Sequence, residues 1–127
     1  MHEVSDDEFS KLIAELMDEL PKEYISGLKN VLITYEDEPS ADQLNKQKLA
    51  PYQTLFGLYE GVPLTNRGAG YQLVLPDRIT IFKKPILNNS ADLKTFRAQV
   101  KHTLWHEIAH YYGLNHERIH EIEKNWH

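Results

Sequence analysis

The sequence predicts a single domain, residues 1–127, that mixes α-helices with a few β-strands. Three observations carry this expectation. Apolar residues recur at helical spacing near both ends, at Phe9, Leu12, Ile13, Leu16 and Leu20 and again at Leu93, Phe96, Val100, Leu104, Ile108 and Tyr111. Between these stripes lie short β-branched and aromatic runs bounded by turn residues. A chain of 127 residues, 41% hydrophobic and 26% charged, has the size and composition of one globular domain with its own core.

The elements follow in chain order. Ser5 with Glu8 forms a capping-box pattern that starts the first helix, and Pro21 stops it. Val31-Leu32-Ile33-Thr34-Tyr35 reads as a strand running into the acidic loop Glu36-Asp37-Glu38-Pro39. Ser40 to Pro51 is polar and gives no clear period. Leu55-Phe56-Gly57-Leu58-Tyr59 is a second strand, closed by the turn Glu60-Gly61-Val62-Pro63, and Asn66-Arg67-Gly68-Ala69-Gly70 is a loop. Pro76-Asp77 opens a third strand, Arg78-Ile79-Thr80-Ile81-Phe82, which ends before Pro85. Asn88-Asn89-Ser90 offers an N-cap for the main helix, with Asp92 in its first turn, and Gly113 ends that helix. A last short helix spans about Glu117 to Glu123.

Composition excludes several classes. The formal net charge is −5 and no lysine- or arginine-rich run stands out, so nucleic acid is not an expected partner. No apolar run is long enough to span a bilayer. The start, Met1 to Glu8, is acidic and polar, unlike a secretory leader, and a cytoplasmic protein is expected. There is no cysteine, so neither a disulfide nor a thiolate ligand is available. The seven histidines are the unusual feature.

His106-Glu107-Ile108-Ala109-His110-Tyr111-Tyr112-Gly113-Leu114-Asn115-His116 fits H-E-x-x-H-x-x-G-x-x-H. Residues four apart on a helix stand nearly above one another, so His106 and His110 can grip one ion. Gly113 lets the chain turn back through a positive φ and bring His116 to the same ion. Three nitrogen ligands leave one tetrahedral position for water, the arrangement of a catalytic zinc site. Glu107 is rotated by about 100° from His106, which places it beside the ion as a general base. His106 and His110 fall roughly 100° to 140° from the apolar stripe, on the flank where a cleft can form, and Glu107 about 40° from it, partly buried.

His120, four residues after His116, is an alternative ligand, although a surface histidine is the simpler reading; His2, His102 and His127 also read as surface residues. Glu121 is a candidate to orient a ligating histidine from behind the ion. Of Tyr111 and Tyr112, one is expected to pack and the other to face the cleft. A tyrosine hydroxyl or Arg67 is the candidate to stabilise an oxyanion.

With the motif in place, the chain resembles the minimal zincin-like metallopeptidases, a family of small, mostly bacterial proteins. The resemblance covers Leu55 to Leu64, Leu75 to Phe82, the helix carrying His106, Glu107 and His110, and Ile119-His120-Glu121. It implies an α+β zincin-like fold: a small twisted mixed sheet packed on the active-site helix, with the N-terminal helix covering it. It implies zinc as cofactor and peptide or unfolded protein as substrate, held by strand pairing along an edge strand, for which Arg78 to Phe82 is the candidate. Many members carry aspartate where His116 stands, so the third ligand here is metzincin-like in type. Metzincins also have a methionine turn below the metal, whereas the methionines here are Met1 and Met17. Eleven residues follow His116, so the expected cleft is shallow, with room for a protein partner to complete it. A non-catalytic metal-binding module that recruits a partner, and hydrolysis of a non-peptide amide, are the rival expectations.

Overall fold

The computed structural model of the protein describes residues 3–48, 54–68 and 76–126. The capping box forms as the sequence predicts: Ser5 Oγ accepts from Glu8 N–H at 3.1 Å, and Glu8 Oε1 accepts from Ser5 N–H at 3.1 Å. Helix α1 runs over Asp6–Glu19 and buries Phe9, Ile13 and Leu16. Leu20, held extended by the following Pro21, ends it. Pro21 also caps a short helix the sequence did not announce, α2 (Lys22–Ser26).

Strand β1 (Val31–Glu36) follows, then α3 (Ala41–Lys46), which has its own capping box between Ser40 and Gln43 in the stretch where no period was legible. Strand β2 is Gly57–Glu60, and a 3₁₀ turn covers Leu64–Asn66. Strand β3 is Asp77–Phe82, and α4 (Lys83–Asn88) begins at once, with Pro85 in its first turn where a missing N–H costs nothing. Asn88-Asn89-Ser90 does not cap the main helix. Ser90 Oγ donates to Ile86 O at 2.7 Å and so closes α4, while Asp92 Oδ1 accepts from Thr95 N–H at 2.7 Å and starts α5 (Leu93–Tyr112). Helix α6 is His116–Lys124. The expectations for His2, His127 and the loop end Ala69-Gly70 lie outside the described residues.

The sheet order is β1-β3-β2. Strand β1 pairs parallel to β3, from Val31↔Asp77 to Glu36↔Phe82, and β2 pairs antiparallel, from Gly57↔Ile81 to Glu60↔Arg78. This corrects one expectation: Arg78 to Phe82 is the central strand. Its ladder is occupied on both sides, and Ile79, Ile81 and Phe82 are fully buried, so it has no free edge for a substrate. Among the described residues, the edge strand on the α5 side is β2.

The core lies between sheet, α1 and α5. Phe9 packs edge-on against Tyr35 at 5.4 Å and near Phe96 at 5.9 Å. Phe96, Val100, Leu104, Ile108 and Tyr111 are buried as the stripe predicts, whereas Leu93, in the first turn, is exposed. Trp105 and Ala109, off that stripe, are also fully buried, because α2 and the C-terminal segment cover this second face. Trp105 meets Tyr24 at 5.2 Å and Trp126 at 5.8 Å, and its Nε1–H donates to Ile119 O at 3.3 Å. The architecture is α+β, with a three-stranded mixed sheet among the described residues. No helix among the described residues is long and apolar enough to cross a membrane.

Candidate metal centre and catalytic face

The site is built on the last two turns of α5 and the turn that follows. Gly113 adopts φ 76°, and the helix closes with Leu114 N–H to Ala109 O at 3.1 Å and Gly113 N–H to His110 O at 3.0 Å, the paired bonds of a Schellman turn. A side chain at Gly113 would also collide with Thr65 of the 3₁₀ turn, so two constraints select glycine here. The reversal places Asn115 as N-cap of α6, with its Oδ1 accepting from Arg118 N–H at 2.9 Å, and makes His116 the first residue of that helix.

The imidazoles gather on this outer face. The rings of His106 and His110 are 4.5 Å apart, and His116 stands 5.9 Å from His106. His120 is exposed and makes no ring contact among the described residues. Glu107 is buried, and its Oε1 lies 3.1 Å from His110 Nδ1. A carboxylate only accepts, so Nδ1 carries the proton of this pair and Nε2 is the nitrogen left for a ligand role. The hydrogen bond to Glu107 raises the pKa of His110 against the opposing effect of its burial. Burial lowers that of His106, with a further push from neighbouring His110 and His102 against the pull of Glu107, and so favours its neutral, ligating form.

The edge strand supplies the facing wall. A Cβ on Gly57 would stand 2.6 Å from Thr103 Cγ2, 3.2 Å from Glu107 Cγ and 3.3 Å from Thr80 O, so glycine is what lets β2 lie against Glu107. Beyond it, Tyr59, Pro63, Thr65, Asn66, His110, Gly113 and Leu114 line an open cavity of about 400 Å³. Tyr59 was not singled out by the sequence. Its hydroxyl donates to buried Asp77 at 2.6 Å, and burial together with that hydrogen bond raises its pKa far above the ordinary tyrosine value.

The oxyanion candidates are placed elsewhere. Tyr111 is buried with its hydroxyl near the Lys29 backbone, and Tyr112 donates to Tyr24 O at 2.5 Å, so neither hydroxyl faces the cleft. Arg67 bonds Val62 O and Asp77 Oδ2. Glu121 is exposed and pairs with Arg118 at 2.9 Å. The carboxylate nearer the histidines belongs to Glu123, whose Oε2 lies 2.8 Å from Nδ1 of exposed His102.

Among the described residues, no three His, Cys, Asp or Glu side chains stand arranged around one metal position. The donor chemistry nevertheless fits zinc. Two imidazoles on one tetrahedral ion, each at about 2.0–2.1 Å, have centroids about 5 Å apart. The separations of 4.5 Å and 5.9 Å lie either side of that value.

No protein of curated function matches the chain. A solved structure of a conserved hypothetical protein from Thermo thermophilus shares the fold, with a TM-score of 0.58 at 22% identity over 86% of this chain and 94% of that one. The sequence pattern of the zincin-like metallopeptidases matches residues 28–126, from the turn before β1 to the end of the described chain. The chain belongs to the zincin-like metallopeptidase family.

Proposed function

We propose that the protein is a zinc-dependent peptidase acting on peptides and unfolded segments, with His106, His110 and His116 holding the metal and Glu107 serving as general base. The observation that carries this reading is the grouping of three imidazoles on one face, with the buried Glu107 bonded to one of them and strand β2 alongside. When bound, zinc supplies Lewis acidity to a carbonyl and lowers the pKa of water.

The chain's own residues do the rest. The outer edge of β2 aligns an extended peptide by main-chain hydrogen bonds, a role that passes to Gly57–Glu60 because β3 is internal. The cavity beside His110 receives one substrate side chain; its walls, Tyr59, Pro63, Thr65 and Asn66, carry no net charge. Glu107 takes a proton from water as its oxygen bonds to the scissile carbon. Glu107 then delivers that proton to the amine as the C–N bond breaks, leaving a carboxylate and a free amine. Glu107 must release His110 Nδ1 or share an oxygen with it to do so, since its Oε1 is engaged there.

That engagement, with the Tyr111 and Tyr112 hydroxyls both bonded to backbone, favours a second reading, a metal-binding module that holds a peptide without cleaving it. The two separate on Glu107→Gln. For a peptidase, the variant keeps zinc affinity within about threefold while turnover on an unstructured peptide library falls by about 10²–10⁴. Zinc-loaded wild type that matches the variant on every peptide leaves the binding module standing and rejects the enzyme.

A further inference from the structure

The hydrogen-bond arrangement leaves one atom unaccounted for. Glu123 Oε1 is buried and has no hydrogen-bond partner, although Oε2 of the same carboxylate is 2.8 Å from His102 Nδ1. A buried carboxylate oxygen without a donor is costly, so a group that it serves in another state of the protein is the natural explanation. The candidates are few. His102 and His106 stand one helical turn apart with their rings nearly parallel, at 6.0 Å and 24°. Glu123 therefore meets the first ring of a stack whose second ring is His106. The same helix α6 starts at His116, 5.9 Å from His106, so α6 runs back along α5 from His106 toward His102 and carries Glu123 past this stack. His106 itself makes no side-chain hydrogen bond among the described residues, and a metal-ligating histidine needs an acceptor for its second ring N–H.

We propose that Glu123 is the positioning residue of His106: with metal bound, its Oε1 accepts the ring N–H of His106 and fixes that ring's tautomer and orientation. The role rests on the zinc reading above. It belongs to Glu123 in place of Glu121, whose exposed carboxylate serves Arg118. The contact with His102 uses Oε2 and leaves Oε1 available. Glu123 touches neither substrate nor reacting atoms, so its effect is read on the metal.

The test is competition titration of zinc against a chromophoric chelator, on the wild type and on Glu123→Ala, Glu123→Gln and His102→Ala. Glu123→Ala weakens zinc about tenfold to a hundredfold. Glu123→Gln, which keeps an acceptor oxygen without the charge, recovers part of that loss. His102→Ala, which removes the α5–α6 tie but not the carboxylate, stays within about threefold of wild type. In the zinc-loaded protein, the ring nitrogen resonances of His106 shift in Glu123→Ala and hold in His102→Ala. Equal losses in Glu123→Ala and His102→Ala show a merely structural tie and overturn the proposal, as does a Glu123→Ala affinity equal to wild type. A wild type that takes up no zinc overturns the metal reading, and this role falls with it; a wild type that binds zinc as tightly as all three variants overturns this role alone.

Discussion

Helices α1 and α6 are both short and amphipathic, and both dock on α5, but they do different work. Helix α1 spans 14 residues, starts with a reciprocal capping box and buries Phe9, Ile13 and Leu16. Helix α6 spans nine, buries only Ile119, and is held further by the Trp105–Ile119 bond and the His102–Glu123 pair. The first closes the core, while the second carries His116 and Glu123. The difference teaches that the candidate metal face includes the helix with fewer buried residues. Elements of low local stability are where a protein can adjust geometry on binding, and α6 is such an element.

The largest effect that separates the two helices is expected at Phe9. Phe9→Ala removes a fully buried ring from contacts with Tyr35 and Phe96 and lowers unfolding free energy by about 3–5 kcal/mol in urea titration. Zinc affinity of the protein that remains folded stays at the wild-type level. A loss below about 1 kcal/mol means that α1 is not the core-closing element.

A smaller loss of stability, with a larger effect on the metal, is expected at Ile119. Ile119→Ala costs about 2 kcal/mol, the low end for such a truncation, because α6 can fray instead of preserving a cavity. Hydrogen exchange rises in residues 116–124 before it rises elsewhere, and zinc affinity drops. Unchanged zinc affinity with full global destabilisation places α6 on the same footing as α1 and removes the contrast.

The smallest effect sits on the tie between α1 and α5. Arg97 and Lys101 beside Glu19 hold its carboxyl below its ordinary value, Arg97 most strongly and against a smaller effect of burial. A lowered folded pKa gives stability that is present above the unfolded value and is lost as pH falls through the folded one. Glu19 is more than a third exposed, so its share is under about 1 kcal/mol. The gap in urea midpoint between wild type and Glu19→Gln should close as pH falls from about 6 to about 3. A gap that holds constant across that range assigns the effect to packing and not to charge.

Much of the site was legible in the sequence because its geometry is local. Helix spacing puts His106 beside His110, and the Gly113 turn is a matter of six residues. The capping box at Ser5 and the stripe from Phe96 to Tyr111 are local in the same sense. What was not legible depends on packing between distant segments. The run Arg78 to Phe82 has the same alternation at an edge or in the middle of a sheet, and only the arrival of β1 from the other side makes it central. Trp105 lies off the apolar stripe and is buried by α2 and the C-terminal segment. Tyr59 reaches the cavity because Gly57 lets β2 close on α5. The sequence pointed to Glu121, and only the docking of α6 shows that Glu121 pairs with Arg118 while Glu123 meets His102.

The mixed sheet also sets an order of assembly. Glu60 and Arg78, the nearest β2–β3 partners, are 18 residues apart, whereas β1 and β3 partners are 46 apart. Closing the longer loop costs about 0.8 kcal/mol more in chain entropy, before the intervening α3 and β2 are placed. Loop closure therefore favours pairing of β2 with β3 ahead of β1 with β3. In that order the wall that faces the imidazoles is in place before β1 docks. Until it does, the flank of β3 bearing Ile79 and Ile81 is an open ladder, and that interval is when a nascent chain is most exposed to pairing with a neighbour.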